Sequence, residues 1–132
     1  LRRYDSCDQS PPLILLVEDR QSNAALLQDA LPPHGYRLDV ARDGNEAMAY
    51  MYEMRPALIL MDIQLPGMSG IEVIQRLRAD PQLRHIPIIA LTALVLPGDR
   101  ERCLAAGADV YLAKPVSLHM LLERIAAQLV RM

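Results

Sequence analysis

Tryptophan and phenylalanine are absent from the 132 residues, and aromatic side chains make up only 4% of them. Leu, Ile, Val, Ala and Met must therefore fill the core. Lysine is almost absent too: of the 14 basic residues, all but Lys114 are arginine. There are two cysteines, Cys7 and Cys103. Their spacing matches no metal-ligand or disulfide pattern, so both read as free thiols in a reducing compartment. The longest apolar run, residues 86–96, is interrupted by Pro87 and Thr92 and is too short to span a bilayer. No signal-peptide pattern is present. A net charge of -2 supplies neither a basic footprint for nucleic acid nor a cationic membrane patch. The expectation is a cytoplasmic chain that touches neither.

What is present is one domain's worth of alternating elements. Residues 1–12, "LRRYDSCDQSPP", read as a linker or disordered leader, and residues 13–132 as the domain. "LILLV" at 13–17, "ALILM" at 57–61 and "IPIIALT" at 86–92 are strands apolar enough to be buried on both faces. "YRLDVA" at 36–41 alternates like a strand near an edge, and "VYLA" at 110–113 is the last strand. Between them lie helical stretches. Residues 22–31 end at Pro32-Pro33. Asp43 with Glu46, and Ser69 with Glu72, have the form of capping boxes. Pro97 suits the first turn of a fourth helix ending near Gly107. Ser117 caps a last helix with Leu118, Leu121, Leu122, Ile125 and Leu129 on one face. Strict strand–helix alternation predicts an α/β fold: a five-stranded parallel sheet in a three-layer doubly wound domain.

In such sheets the functional crevice lies beyond the carboxyl ends of the strands. Glu18 and Asp19 follow the first strand, Asp62 the third, Thr92 the fourth and Lys114 the fifth. Three carboxylates on one rim repel unless a cation neutralises them. Oxygen ligands with room for water and a phosphoryl oxygen suit Mg²⁺. Aspartate is a nucleophile toward phosphoryl groups, and a hydroxyl and an ammonium can hold the other phosphoryl oxygens. The lone lysine thus faces an anion built by the rest of the rim.

The stretches "LVEDR", "LILMDIQLPGMSG", "IIALTA" and "GADVYLAKP", in this order and at these strand ends, resemble the receiver domain of two-component response regulators. The resemblance covers about residues 13–129. It implies a (βα)5 flavodoxin-like sheet of strand order 2-1-3-4-5. It implies Asp62 as phosphoacceptor, with Glu18, Asp19, Asp62 and the backbone carbonyl of Gln64 holding Mg²⁺ (or Mn²⁺). Thr92, Lys114 and the backbone of Ala93 would contact the phosphoryl group. Thr92 and Tyr111 would switch, and Lys114–Pro115 would be a cis peptide. The implied partner is a histidine kinase or a histidine phosphotransfer domain, with a homodimer through the face of the fourth helix, fifth strand and fifth helix. Such a domain catalyses its own phosphorylation and dephosphorylation and is not a classical enzyme. Arg20 departs from the common pattern, in which asparagine often follows the acidic pair. Gln64 and Ala93 occupy positions that tune the lifetime of the acyl phosphate.

Three rival readings compete with this one. An Asp-nucleophile phosphohydrolase commonly has a second Asp where Gln64 stands. A flavodoxin-like electron carrier needs a phosphate-binding loop, whereas "EDRQSN" is acidic. A degenerate receiver that only binds would normally lack one of the key residues. His34, His85 and His119 read as surface residues, Met48, Met51 and Met54 as core and helix surface, and Cys103 as a structural thiol. The leader and the Leu at position 1 favour a domain cut from a hybrid sensor histidine kinase or multidomain regulator. A stand-alone single-domain response regulator is the alternative.

Overall fold

The computed structural model describes residues 11–93 and 96–130. The expected leader at 1–12 and Cys7 therefore lie almost wholly outside the described residues. The elements run β1 (Leu13–Val17), α1 (Gln21–Ala30), β2 (Arg37–Ala41), α2 (Gly44–Met54), β3 (Leu58–Asp62), α3 (Gly70–Ala79), β4 (Ile88–Thr92), α4 (Asp99–Ala106), β5 (Val110–Ala113) and α5 (Leu118–Leu129). A short 3-10 turn, Pro32–His34, follows α1 and ends on Gly35 at φ 93. All strand pairs are parallel, in the order β2-β1-β3-β4-β5.

Alternation along the central strands divides the core in two. Leu15, Val17, Ile59, Met61, Ile88 and Ala90 face α2, α3 and α4, where Met51, Ile74, Leu77 and Cys103 meet them. Ile14, Leu16, Leu58, Leu60, Ile89 and Leu91 face α1 and α5, against Ala24, Leu121 and Ile125. Every residue of β1, β3 and β4 is buried, as the unbroken apolar runs require. The edge strand β2 alternates instead, with Arg37 and Asp39 exposed. No Phe or Trp is needed, because branched aliphatics from both layers fill the sheet faces.

The caps act where expected. Asp43 accepts from the Glu46 N–H at 2.8 Å, Ser69 from Glu72 at 3.3 Å and Ser117 from Met120 at 3.0 Å. Glu46 reaches back to the N–H of Arg42, one residue before the cap. Several boundaries shift by a residue or two from expectation, two of them near the rim. Pro97 lies outside α4, because Gly98 takes φ 84 as its N-cap and delays the helix to Asp99. Asp62 does not follow β3 but closes it, paired in register with Leu91.

Arg78 on α3 makes a contact set that no sequence motif announces. Its guanidinium donates to the carbonyls of Gly107, Arg84 and Ile86 and to the carboxylate of Asp109, at 2.7–2.8 Å. Asp109 also accepts from the N–H of Ile88. One side chain thus ties α3, the end of α4 and the starts of β4 and β5 together. This happens at the end of the sheet opposite the carboxyl rim.

Candidate phosphoryl-transfer and metal site

Parallel strands bring all carboxyl ends to one rim. The order reverses between β1 and β3, so their ends open a crevice there. Glu18 and Asp19 come from the end of β1, Asp62 from β3, Thr92 from β4 and Lys114 from just beyond β5. The backbone ladder continues past the strands and fixes these positions. The N–H of Glu18 donates to Ala41 at 2.9 Å, that of Ile63 to Leu91 at 2.9 Å and that of Lys114 to Thr92 at 2.7 Å.

Glu18, Asp62 and Thr92 are buried, at 3%, 5% and 1% exposure, while Asp19 is exposed at the lip. Carboxylate oxygens of Glu18, Asp19 and Asp62 lie within 4.8 Å of one another. Lys114 Nζ donates to Glu18 Oε1 at 2.8 Å and stands 3.5 Å from Asp62 Oδ2. The lysine's shorter contact is therefore with the neighbouring acid, not with the expected phosphoacceptor. Asp62 Oδ1 accepts from the N–H of Gln64 at 2.9 Å. The Lys114–Pro115 peptide is cis.

The electrostatics follow from this packing. Burial pushes the Glu18 carboxyl up, but hydrogen bonds with Lys114 and Asp62 outweigh it and hold Glu18 below the usual range. Burial, followed by the hydrogen bond with Glu18, pushes Asp62 up to about 6, against the Gln64 N–H and the Lys114 charge. One monovalent ammonium does not offset three clustered carboxylates. A hard divalent cation bound through two or three of them does, and the all-oxygen donor set fits Mg²⁺.

Gly70 holds the approach of α3 to this site. A Cβ there would lie 2.5 Å from the carbonyl oxygen of Asp62 and 2.7 Å from Cα of Ile63. Both are backbone atoms and cannot swing aside. Gly70→Ala should destabilise the fold by roughly 1–3 kcal/mol, as overpacking does, and displace Asp62. A lower midpoint in a thermal melt checks this. A midpoint equal to that of the parent would show that α3 can move away without cost.

Tyr111 packs at the edge of the layer that contains α4, with its hydroxyl buried and unpaired among the described residues. Burial raises its pKa first, and the charge of Asp99 adds to that. His34, His85 and His119 are all exposed. Cys103 is a buried free thiol. Two clefts adjoin the site. One, of about 260 Å³, runs from Glu18 and Asp19 between α1 and β2 past Gln28 and Arg42. The other, of about 650 Å³, runs from Glu18, Arg20 and Lys114 between α1 and α5 past Leu26 and Leu118. Among the described residues no helix is long and apolar enough to cross a membrane.

Comparison with known proteins agrees with this geometry. The model of the response regulator receiver domain matches residues 14–126. The polar-differentiation response regulator DivK of Brucella anthropi is 44% identical over 119 residues, covering 90% of this chain and 97% of that protein. DivK of Brucella ovis is 43% identical over 116 residues, covering 88% and 94%. Among solved structures, the receiver domain of a signal transduction histidine kinase from Syntrophus aciditrophicus superposes with a TM-score of 0.86 at 36% identity, covering 92% of each chain. A response regulator from Chloroflexus aurantiacus gives 0.87 at 32%, covering 92% of this chain and 99% of that one. With its parallel 2-1-3-4-5 sheet and its acidic crevice suited to Mg²⁺, the chain belongs to the response regulator receiver domain family.

Proposed function

We propose that Asp62 accepts a phosphoryl group from a phosphohistidine on a histidine kinase or histidine phosphotransfer domain. The observation that carries this is Lys114 Nζ, held 2.8 Å from Glu18 and 3.5 Å from Asp62 beside three clustered carboxylates. Glu18, Asp19, Asp62 and the carbonyl of Gln64 would hold Mg²⁺ (or Mn²⁺). The ion would supply charge neutralisation for the incoming phosphoryl oxygens. Asp62 Oδ2, nearer the lysine, would attack phosphorus as the P–N bond to the donor histidine breaks and the imidazole leaves with the electron pair, while Oδ1 keeps the Gln64 N–H. Thr92, Lys114 and the backbone N–H of Ala93 would hold the transferred group.

The same contacts would drive the switch. A phosphoryl group at Asp62 draws Thr92, at the end of β4, toward itself. Space vacated beside α4 then favours a new position for Tyr111. Its buried, unpaired hydroxyl makes the present position costly by about 1–3 kcal/mol. The readout would be the α4–β5–α5 face, which also offers a surface for homodimer formation.

The chain matches DivK over 97% of that protein's length, and this supports action as a single-domain response regulator. The placement within a hybrid histidine kinase, favoured by the sequence alone, has the weaker support, the receiver of the Syntrophus aciditrophicus kinase at 36% identity, so the single-domain alternative is preferred.

Incubation with acetyl phosphate and Mg²⁺ should add a single phosphoryl mass, labile to hydroxylamine as an acyl phosphate is. A chain that stays unmodified overturns the reading. Mg²⁺ alone should also raise the thermal midpoint, since a ligand at 100 times its Kd contributes about 2.7 kcal/mol. Asp19→Asn should lose most of that rise. Equal midpoints with and without millimolar Mg²⁺ would speak against the metal site.

A further inference from the structure

We infer that α4 pivots about its C-terminal end when the domain switches, and that Arg78 of α3 holds this pivot; the inference rests on the switch proposed above. The two ends of α4 are held in different ways. At the C-terminal end, the N–H of Gly107 donates to the carbonyls of Cys103 and Leu104, and that of Ala108 donates to Cys103. The stem of Arg78 lies so close over Gly107, at φ 127, that a Cβ there would collide with Cγ of Arg78. Arg78 Nε donates to the Gly107 carbonyl at 2.8 Å. The same guanidinium donates to the carbonyls of Arg84 and Ile86, both at 2.7 Å, and to Asp109 at 2.8 Å. Asp109 is bonded to Ile88 of β4 as well: its carboxylate accepts the Ile88 N–H at 2.9 Å, and its own N–H donates to the Ile88 carbonyl at 2.9 Å. This end is therefore fastened to α3 and to the start of β4.

The first turn has no such fastening. Gly98, its N-cap, takes φ 84 and brings no side chain. The bonds that close the turn all lie within residues 96–102. Asp99 accepts from the Leu96 N–H and pairs with Arg102, while the Asp99 N–H donates to Leu96 and the Arg102 N–H to Gly98. Among the described residues no hydrogen bond or ion pair joins 96–102 to another element. Thr92 closes β4 and leads into this turn along the chain, so a pull on Thr92 reaches the loose end of α4 first. Sliding the whole helix would break the Arg78 contacts or drag α3 with it. A rotation about Gly107 breaks none of them. With 8 residues α4 is about 12 Å long, so a shift of about 2 Å at its first turn is a rotation of about 10°.

The test compares the wild-type chain with and without beryllofluoride and Mg²⁺, by amide chemical shifts and by residual dipolar couplings, which report the direction of each N–H bond. Induced shift changes should be largest at residues 96–102 and smallest at 107–109, and the α4 couplings should fit a helix axis turned relative to the sheet. Changes as large at 107–109 as at 96–102, with the axis unturned, would mean that α4 slides and would overturn the inference. This comparison uses the wild type alone, so it stands whatever a substitution at Arg78 costs the fold. In Arg78→Gln the induced changes should spread to Gly107, Ala108 and Asp109. Arg78→Lys keeps the stem and the charge but not the fork that reaches three carbonyls, and should confine them only in part. If Arg78 served the fold alone, Arg78→Gln would melt lower and shift the 107–109 amides equally with and without beryllofluoride. The induced changes would then stay at the first turn, and Arg78 would not be the anchor. A wild-type chain that acetyl phosphate labels, yet in which beryllofluoride moves nothing in α4, would overturn the switch and the pivot with it while leaving Asp62 as phosphoacceptor.

Discussion

Asp62→Asn should take up no phosphoryl group from acetyl phosphate under conditions that fully label the wild-type chain. The amide lacks the anionic oxygen that attacks phosphorus. It keeps an oxygen that can accept the Gln64 N–H, so the loop after β3 need not move. The substitution also removes one of three clustered carboxylates, and with it a buried charge that burial and the hydrogen bond with Glu18 disfavour, pushing Asp62 up to about 6. The variant should therefore melt no lower than the wild type without Mg²⁺, and its rise on adding Mg²⁺ should shrink. Loss of labelling with fold retained isolates the chemistry at Asp62. A hydroxylamine-labile adduct that persists in Asp62→Asn would move the phosphoacceptor to another carboxylate.

Lys114→Ala should still be labelled, because Asp62 and the acidic pair that would hold the metal remain. Its response to phosphorylation should be lost or greatly reduced. Lys114 lies 3.5 Å from Asp62 and bonds to Glu18 at 2.8 Å, and its backbone N–H donates to Thr92. It joins the end of β5 to the acidic cluster and to the residue proposed to switch. A ligand moves a two-state equilibrium only through contacts that differ between the states. A phosphoryl group would give the ammonium a new anion, and that is such a contact. The alanine variant leaves the Glu18 carboxylate buried without its cation, which costs on the order of 2 kcal/mol for a charged hydrogen bond, so its midpoint should fall. Lys114→Arg should not restore the response, because a planar fork does not replace a compact point charge in a closed site. Amide chemical shifts with and without beryllofluoride, a phosphoryl mimic, report the outcome. Wild-type shift changes in α4 and β5 of Lys114→Ala would remove the lysine from the coupling.

Much of this molecule is legible in one dimension because its signals are local. Unbroken apolar runs at β1, β3 and β4 require burial on both faces, and a parallel sheet between helices is what supplies it. Each cap depends on a side chain three residues from the N–H it satisfies. The rim followed from the same logic: parallel strands end on one side, so the residues at their carboxyl ends had to meet. Boundaries were less legible. Pro97 fits the start of a helix on its own terms, but Gly98, in a left-handed conformation, placed that start at Asp99.

The alternation of elements and the identity of the rim residues were thus determined by the sequence alone. Which rim residues touch was decided only by the tertiary structure, because distances between strand ends depend on twist, stagger and rotamer. Lys114 sits nearer Glu18 than Asp62, the Arg20 guanidinium is left without a partner among the described residues, and Tyr111 buries a hydroxyl that nothing there satisfies. Arg78 shows the limit most plainly. Its partners Arg84, Ile86, Gly107 and Asp109 are offered mostly through backbone carbonyls, which every residue carries. A residue type or spacing cannot mark them. Only the packing of α3 against the ends of α4, β4 and β5 brings those oxygens within reach of one guanidinium.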